Sequence, residues 1–435
     1  MNKRFLIVGS EAREHAMAWK LARSAQVEHV YVAPGNPAML REPGVSVVDI
    51  PSYEELAEFA CREKIDCTVI SAAAPMVRGA VDAFRQRGLT VLGAPKVTAE
   101  LEASKYFSKL FMLRHGVPTP LQRSFKNPLE ALGYLRNCEY PVVLKSDERT
   151  SSYQSAIVLD RFLDARWACS VLLTSARNGK VLVEDCIKGR EISYTILMDG
   201  TNWVAMCPFR NYKQIGNADR GGNTGGMGGY APVPWVTPDL EQRIVSRIVL
   251  PTLRGMQQEH LQYRGFLSFD IIVDDTDAPW LLDFNTSIGD PEAQTTLMLL
   301  EDDFADLLVR AAIGELGRAP LCWRDGWAMT ASLAPNGYPK TTVVGQSLAL
   351  PAQSSDQNLR YFGGRLTGQG NRFLTRDERC ASVTTFSPDA RCCRERMYQA
   401  AGRVDGGLLV WRTDIGSELD FFAEQPASLR GIRYH

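Results

Sequence analysis

The segment LLDFNTSIGDPEAQ (281–294) closes an apolar run with Asp283 and Asn285, two positions apart. In a strand such residues share a face. Just upstream, GFLSFDIIV (265–273) carries Asp270 inside another apolar run, and DDTDAP forms the turn between them. A hairpin of these two strands would bring Asp270, Asp283 and Asn285 to one place. Three hard oxygen donors suit Mg²⁺ or Mn²⁺ that also holds nucleotide phosphates. Read alone, 281–294 fits a strand end closed by an Asx turn equally well; the third donor tips the reading towards a metal.

Further upstream, KVLVEDCIKGREIS (180–193) ends a strand at Glu184-Asp185 and opens another at Glu191. Such a connector can hold adenine through backbone hydrogen bonds, with Glu191 on the ribose hydroxyls. It can equally be a hairpin with solvated charges. Lys145, at the end of the apolar strand PVVLK, is either a phosphate-binding cation or an ordinary solvated lysine. The glycine-rich stretch 221–229 leaves backbone N–H groups free to approach an anion closely.

The elements that must position these groups follow from patterning. Residues 1–93 alternate strongly between strand and helix. RFLIVG, HVYVAPG, VSVVDI, DCTVIS and LTVLGA read as strands; REHAMAWKLARSA, YEELAEFACREK and PMVRGAVDAFRQRG read as helices. This predicts an open, doubly wound parallel sheet whose ligands sit at the strand carboxyl ends. A helix from about Thr98 to His115 and a Pro-rich joint at 116–120 follow. The expected organisation is an N-terminal domain over 1–97, a helical connector over 98–120, a small lobe over 121–195, a large lobe over 196–320 and a β-rich C-terminal domain over 326–435.

With 435 residues there is room for roughly three domains of about 150. Lys plus Arg total 49 against 50 for Asp plus Glu, so no basic excess points to nucleic acid or a membrane surface. No apolar run is long enough to span a bilayer, and MNKRFLIVGS enters a strand directly, without a signal-peptide pattern. Ten scattered cysteines without a C-x-x-C predict reduced thiols in a cytoplasmic protein. Vicinal Cys392-Cys393 is either a redox pair or two ordinary thiols, and the five dispersed histidines do not suggest zinc.

Taken in order, Lys145, EDCIKGREIS (184–193), NTGGMGGYAP (223–232) and DFNTSIGDPEAQ (283–294) resemble the ATP-grasp ligases. Within them the chain is most similar to the glycinamide ribonucleotide synthetase (phosphoribosylamine–glycine ligase) family. REHAMAWK (13–20), APGN (33–36), SKYF (104–107), NGYP (336–339) and RTDIG (412–416) extend the resemblance over nearly the whole chain. It implies a two-lobed ATP-grasp core behind the N-terminal sheet, with a small C-terminal β-rich domain packed back on it. It also implies an ADP-forming reaction in which ATP phosphorylates a carboxylate and an amine attacks the acyl phosphate. By this resemblance Lys105, Lys145, Ser151 and Ser152 would contact ATP phosphates. Glu184, Asp185, Cys186 and Ile187 would hold adenine, Glu191 the ribose, and Asp283 with Asn285 (and Asp270) the metal. Lys213, Asn223, Thr224, Gly225 and Gly226 would face the reacting carboxylate. Gly9, Ser10, Arg13, Asn36, Ala73, Ser287, Asp290 and Glu292 would bind substrate.

Departures from that family cluster at functional positions. The family's glycine-rich phosphate loop is here SDERTSSYQSAIV (146–158), without glycine or a second lysine. Glu11 puts negative charge at the first strand's turn, Ala73 replaces a carboxylate, Tyr212 a histidine and Ser287 an arginine, while Asp270 adds a carboxylate where the synthetase has a small residue. The expectation is therefore a divergent ligase paralogue joining a different acid or amine, working on small molecules as a monomer or homodimer. The alternative is a catalytically weak or inactive relative that acts as a nucleotide- or protein-binding module. A dinucleotide enzyme fits poorly, because the first β–α turn, GSEARE, lacks GxGxxG.

Overall fold

The computed structural model describes residues 2–147, 156–175, 180–353, 356–370 and 372–421. Its first sheet consists of β1 (Lys3–Gly9), β2 (Val27–Pro34), β3 (Val45–Val47), β4 (Cys67–Ile70) and β5 (Val91–Leu92), all parallel in the order β3-β2-β1-β4-β5. Both faces are covered, so the β1 and β4 sequences FLIV and CTVI run apolar without alternation. The order reverses at β1, which places the ligand crevice at Gly9 and the start of helix Ala12–Ala22.

Two expected helices are each divided. PMVRGAVDAFRQRG becomes Ala73–Val77 and Ala80–Gln86, broken at Gly79, whose φ of +87° is left-handed. The span 98–115 becomes Lys96–Ala103 and Lys105–Arg114. Ser104 makes the break because its extended backbone lets Oγ accept from Phe107 N at 3.1 Å and cap the second helix. Lys105 is thereby the first residue of a new helix, beside Asp147, whose carboxylate accepts from Tyr106 N at 2.8 Å.

The small lobe is an antiparallel sheet in the order Gln122–Phe125, Val181–Asp185, Val142–Ser146, Ala156–Leu159. Helices Pro128–Leu135 and Phe162–Ser175 pack on it around a separate core containing Leu135, Leu144, Ala165 and Val183. The large lobe holds the sheet Trp203–Ala205, Arg190–Met198, Gly265–Val273, Pro279–Asn285. The expected hairpin is present: Asp270 lies opposite Asp283 and Ser268 opposite Asn285, with a bulge between Asp270 and Ile271.

Strand pairing crosses the boundary expected near 320–326. A six-stranded sheet joins Arg210–Asn211 and the glycine strand Gly228–Ala231 to Trp327–Pro335, Ala381–Ser387 and Leu359–Gly363, with Leu409–Val410 also on Trp327–Pro335. The hydrophobic interior is shared in the same way, one cluster combining Phe5 and Val32 with Phe266, Leu300, Phe362 and Phe386. All ten cysteines are free; Cys392 is exposed and Cys393 buried against Thr385, so the two thiols sit in different environments. No described helix is long and apolar enough to cross a membrane.

Candidate active site

The hairpin brings its polar residues together across the bulge. Asn285 Nδ2 donates to Asp270 Oδ2 at 3.4 Å, and Ser193 Oγ, from the neighbouring strand, donates to Asp270 Oδ1 at 3.3 Å. Among the described residues no group of three or more His, Cys, Asp or Glu side chains is arranged to hold a metal. The donor set is two carboxylates and one carboxamide. That composition fits Mg²⁺, which keeps waters and phosphate oxygens and takes one or two carboxylates from protein.

Lysines surround this hairpin. Lys145 Nζ lies 3.3 Å from Asp283 Oδ2 and 3.0 Å from Glu184 Oε2. Lys109 Nζ lies 3.3 Å from the same Glu184 oxygen, Lys105 Nζ 4.0 Å from Asp283 Oδ1, and Lys213 Nζ 3.1 Å from Asp270 and 3.5 Å from Glu191. Burial works to raise the Asp283 pKa, but Lys105, Lys145, Lys109 and Lys213 together hold it well below the ordinary carboxylate range. Burial likewise opposes the charge on Lys145, and Asp283 with Glu184 more than restores it. Lys109, which shares Glu184 with a competing cation, falls to about 8 under burial. Glu184 Oε1 is a buried acceptor without a hydrogen-bond partner among the described residues. A cationic cluster that is held by carboxylates suits a polyphosphate and its metal.

On the connector itself, Asp185 is exposed while Cys186 and Ile187 are half-buried. Ser151 and Ser152 lie outside the described residues, as does most of the loop 146–158.

The glycine-rich segment is fixed from two sides. Thr224 N and Oγ1 both donate to Lys213 O, at 2.8 and 2.7 Å, and Gly226 N donates to Thr224 Oγ1 at 3.0 Å. Asn223 accepts from Gln214 Nε2 at 3.3 Å. Arg379, from the C-terminal block, donates to Gly226 O at 2.9 Å and Asp290 O at 2.6 Å, and pairs with the Asp290 carboxylate at 3.3 Å. A Cβ on Gly225 would meet its guanidinium at 2.8 Å. Tyr212 donates to Glu418 and accepts from Gly416 N at 2.8 Å.

At the carboxyl end of β1, Arg13 N donates to Asp290 Oδ2 at 3.0 Å, Arg13 Nη1 to Ile288 O at 3.1 Å and Arg13 Nε to buried Glu14 at 2.6 Å. A Cβ on Gly9 would strike the Glu14 carboxylate at 2.4 Å. Asn36 Nδ2 ties Ser10 O, at 2.9 Å, to Gly363 O, at 3.0 Å. Glu11 pairs with Arg365 at 3.7 Å and Arg379 at 4.0 Å. Asp290 is engaged by Arg13, Arg379 and Gln294, and Glu292 by the Thr195 hydroxyl, so both carboxylates are directed inward. Burial raises the Glu292 pKa to about 7. Ser287 is buried nearby, whereas Ala73 begins its short helix with no hydrogen bond into this cluster.

Lys109, Ser193, Arg365 and Arg379 were absent from the sequence-based set. Lys109 stands one helical turn after Lys105, a spacing visible in KYFSK. The two arginines belong to none of the motifs, standing between NGYP (336–339) and RTDIG (412–416), and arrive through the pairing of the C-terminal strands that flank them.

Comparison with known proteins places these residues in context. The chain matches the family models described as phosphoribosylglycinamide synthetase N domain, over residues 3–102, and phosphoribosylglycinamide synthetase ATP-grasp (A) domain, over residues 103–293. It is 36% identical over 421 residues to a phosphoribosylamine–glycine ligase of Ralstonia nicotianae, covering 94% of this chain and 98% of that one. A Vibrio cholerae protein of the same name is 35% identical, with 94% and 97% covered. The crystal structure of Thermotoga maritima phosphoribosylamine–glycine ligase superposes with a TM-score of 0.80 at 26% identity, covering 95% of this chain and 100% of that one. The biotin carboxylase domain of Hydrogenobacter thermophilus 2-oxoglutarate carboxylase, in complex with MgADP, has the same fold at a TM-score of 0.72 and 15% identity, with 98% and 99% covered.

Proposed function

Since this chain belongs to the phosphoribosylamine–glycine ligase family of ATP-grasp ligases, we propose that it is an ADP-forming carboxylate–amine ligase whose amine differs from phosphoribosylamine. The ligase reading is supported by the four lysines gathered on Asp283, Glu184 and Asp270. In it Lys105 and Lys145 bind the ATP phosphates, Glu184 to Ile187 and Glu191 the nucleoside, and Asp270, Asp283 and Asn285 the Mg²⁺. Bound Mg²⁺ would neutralise charge on the phosphoryl group as it moves. Lys213 and the backbone N–H groups of 223–226 orient the reacting carboxylate and its anionic product.

One observation carries the choice of a different amine. Arg365 and Arg379 form a cationic pair beside the β1 crevice, and Glu11 already answers it from the start of the first helix. A substrate phosphate entering there would displace a carboxylate of the protein or face it; an amine without a phosphate meets no such conflict.

The test is Mg-ATP-dependent ADP release with glycine plus freshly generated phosphoribosylamine, beside a panel of other amino acids and amines. Release with a pair other than glycine and phosphoribosylamine is expected. Full turnover with the purine-pathway pair would overturn the substrate reading, and silence with every pair would overturn the ligase.

A further inference from the structure

An open cleft of about 1380 Å³ lies between the N-terminal sheet and the large lobe, walled by residues 85–91 on one side and by 198–205, 245–264 and 312–320 on the other. None of the candidate active-site residues lines it. Its charge is one-sided: Arg85, Arg254, Arg264 and Arg318 line it, against one carboxylate, Asp199. That carboxylate is occupied, accepting from the backbone N–H groups of Thr201, Asn202 and Leu316 at 2.8, 2.6 and 3.0 Å.

The arginines differ in what they touch. Arg264 Nη1 donates to Ala312 O at 2.5 Å and Arg318 Nε to Asn202 Oδ1 at 2.9 Å. The Arg85 and Arg254 side chains make no hydrogen bond or ion pair with any described residue. Arg85 is half-buried, and burial together with the like charge of Arg264 lowers its pKa, more than Asp82 restores it. Arg85 and Arg264 thus line one cleft with no ion pair to a described carboxylate, which is costly to maintain beside a partly apolar wall unless an anion joins them. A phosphate dianion satisfies both, since each guanidinium presents a donor fork matched to its oxygens. Trp203, Leu250 and Leu253 supply an apolar wall in the same cleft, and Leu250 is 41% exposed. The volume exceeds the roughly 300–1,000 Å³ of ordinary small-molecule pockets, so a nucleotide-sized ligand has room.

We propose that this cleft binds a phosphorylated small molecule, with its phosphate between Arg85 and Arg264 and its organic part along the Trp203, Leu250 and Leu253 wall. The site also spans a joint. Gly93 N, just after β5, donates to Arg264 O at 2.8 Å, and Arg264 immediately precedes the strand that carries Asp270. A ligand bridging Arg85 and Arg264 therefore clamps the N-terminal sheet to the large lobe.

The test is isothermal titration of the full chain with inorganic phosphate, AMP or ribose 5-phosphate, each added after a non-hydrolysable Mg-ATP analogue has filled the active site. One further molecule per chain is expected from AMP or ribose 5-phosphate, the better binder distinguishing nucleotide from sugar phosphate. Arg85→Gln is expected to weaken it tenfold or more without changing affinity for the analogue, and Arg85→Lys to lose less. Arg254→Gln, at an exposed position, gives a second reading if the Arg85 variants fold poorly. Absence of binding by all three probes, or unchanged binding in Arg85→Gln and Arg254→Gln, overturns the proposal. So does a wild-type dimer, by sedimentation velocity, that Arg85→Glu dissociates, since the cleft would then be a subunit interface.

Discussion

Asp283 stands at the centre of the charge pattern, between Lys105 and Lys145 and opposite Asp270. Replacing it with alanine removes the proposed metal donor and leaves buried Lys145 with Glu184 alone. We expect Asp283→Ala to reduce Mg-dependent ADP release on the order of a hundredfold or more, measured beside its thermal midpoint to separate lost chemistry from lost fold. Glu292 gives a stability prediction. Its folded-state pKa of about 7 lies above the ordinary 4.5, so between these values the native protein keeps a proton that the unfolded chain has released. Stability from this group is thus greatest below pH 4.5 and falls as pH rises towards 7, by about 3 kcal/mol at most. Glu292→Gln, which stays neutral and can still bond Thr195, should flatten the slope of denaturation free energy between pH 5 and 7. An unchanged slope would assign the pH dependence elsewhere, with Glu241, raised to about 7 by burial, as the next group to replace.

At the scale of elements, the glycine strand Gly228–Ala231 shows why small residues occur where they do. A Cβ on Gly228 would come within 2.3 Å of Thr330 O, at a φ of +138°. Both the space and the backbone conformation exclude a side chain. At Gly225 the obstacle is the tip of the Arg379 side chain, at 2.8 Å, which can shift. Gly228→Ala is therefore expected to cost about 2–3 kcal/mol in chemical denaturation. Gly225→Ala should cost little stability but displace Arg379 and lower turnover. Equal stability losses in the two variants would contradict this division.

At the scale of the whole molecule, the site is assembled from blocks that share strands and core. The 210–231 segment is gripped from the C-terminal end: Arg412 pairs with Asp219 at 2.7 Å and donates to Gln214 O at 3.3 Å, and Gly416 N donates to Tyr212 Oη at 2.8 Å. Trp327–Pro335 is the strand on which Gly228–Ala231 lies. A chain ended after residue 325 would leave that glycine strand as an open edge with an uncovered apolar face. We expect the truncated chain to be insoluble or to lack near-ultraviolet circular dichroism. A soluble, cooperatively unfolding fragment that releases ADP would show the C-terminal block to be dispensable.

How much of this was legible beforehand depended on the range of the interaction. The alternating N-terminal elements, the Asp270–Asp283 hairpin and the family resemblance are local patterns of apolar residues, turns and motifs, and the sequence by itself determined them. The break at Ser104 was harder to see, because apolar spacing continues across it and only a serine hydroxyl, free to cap or to face solvent, marks the interruption. The pairing of charges was decided by tertiary structure alone. Nothing near Glu11 in the chain announces Arg365 and Arg379, and nothing near Arg85 announces that Arg264 lines the same cleft, since sheet order and domain packing bring them together. Side-chain type records what a residue can do locally; the fold decides which opposite or like charge it meets, and through that the substrate its crevice accepts.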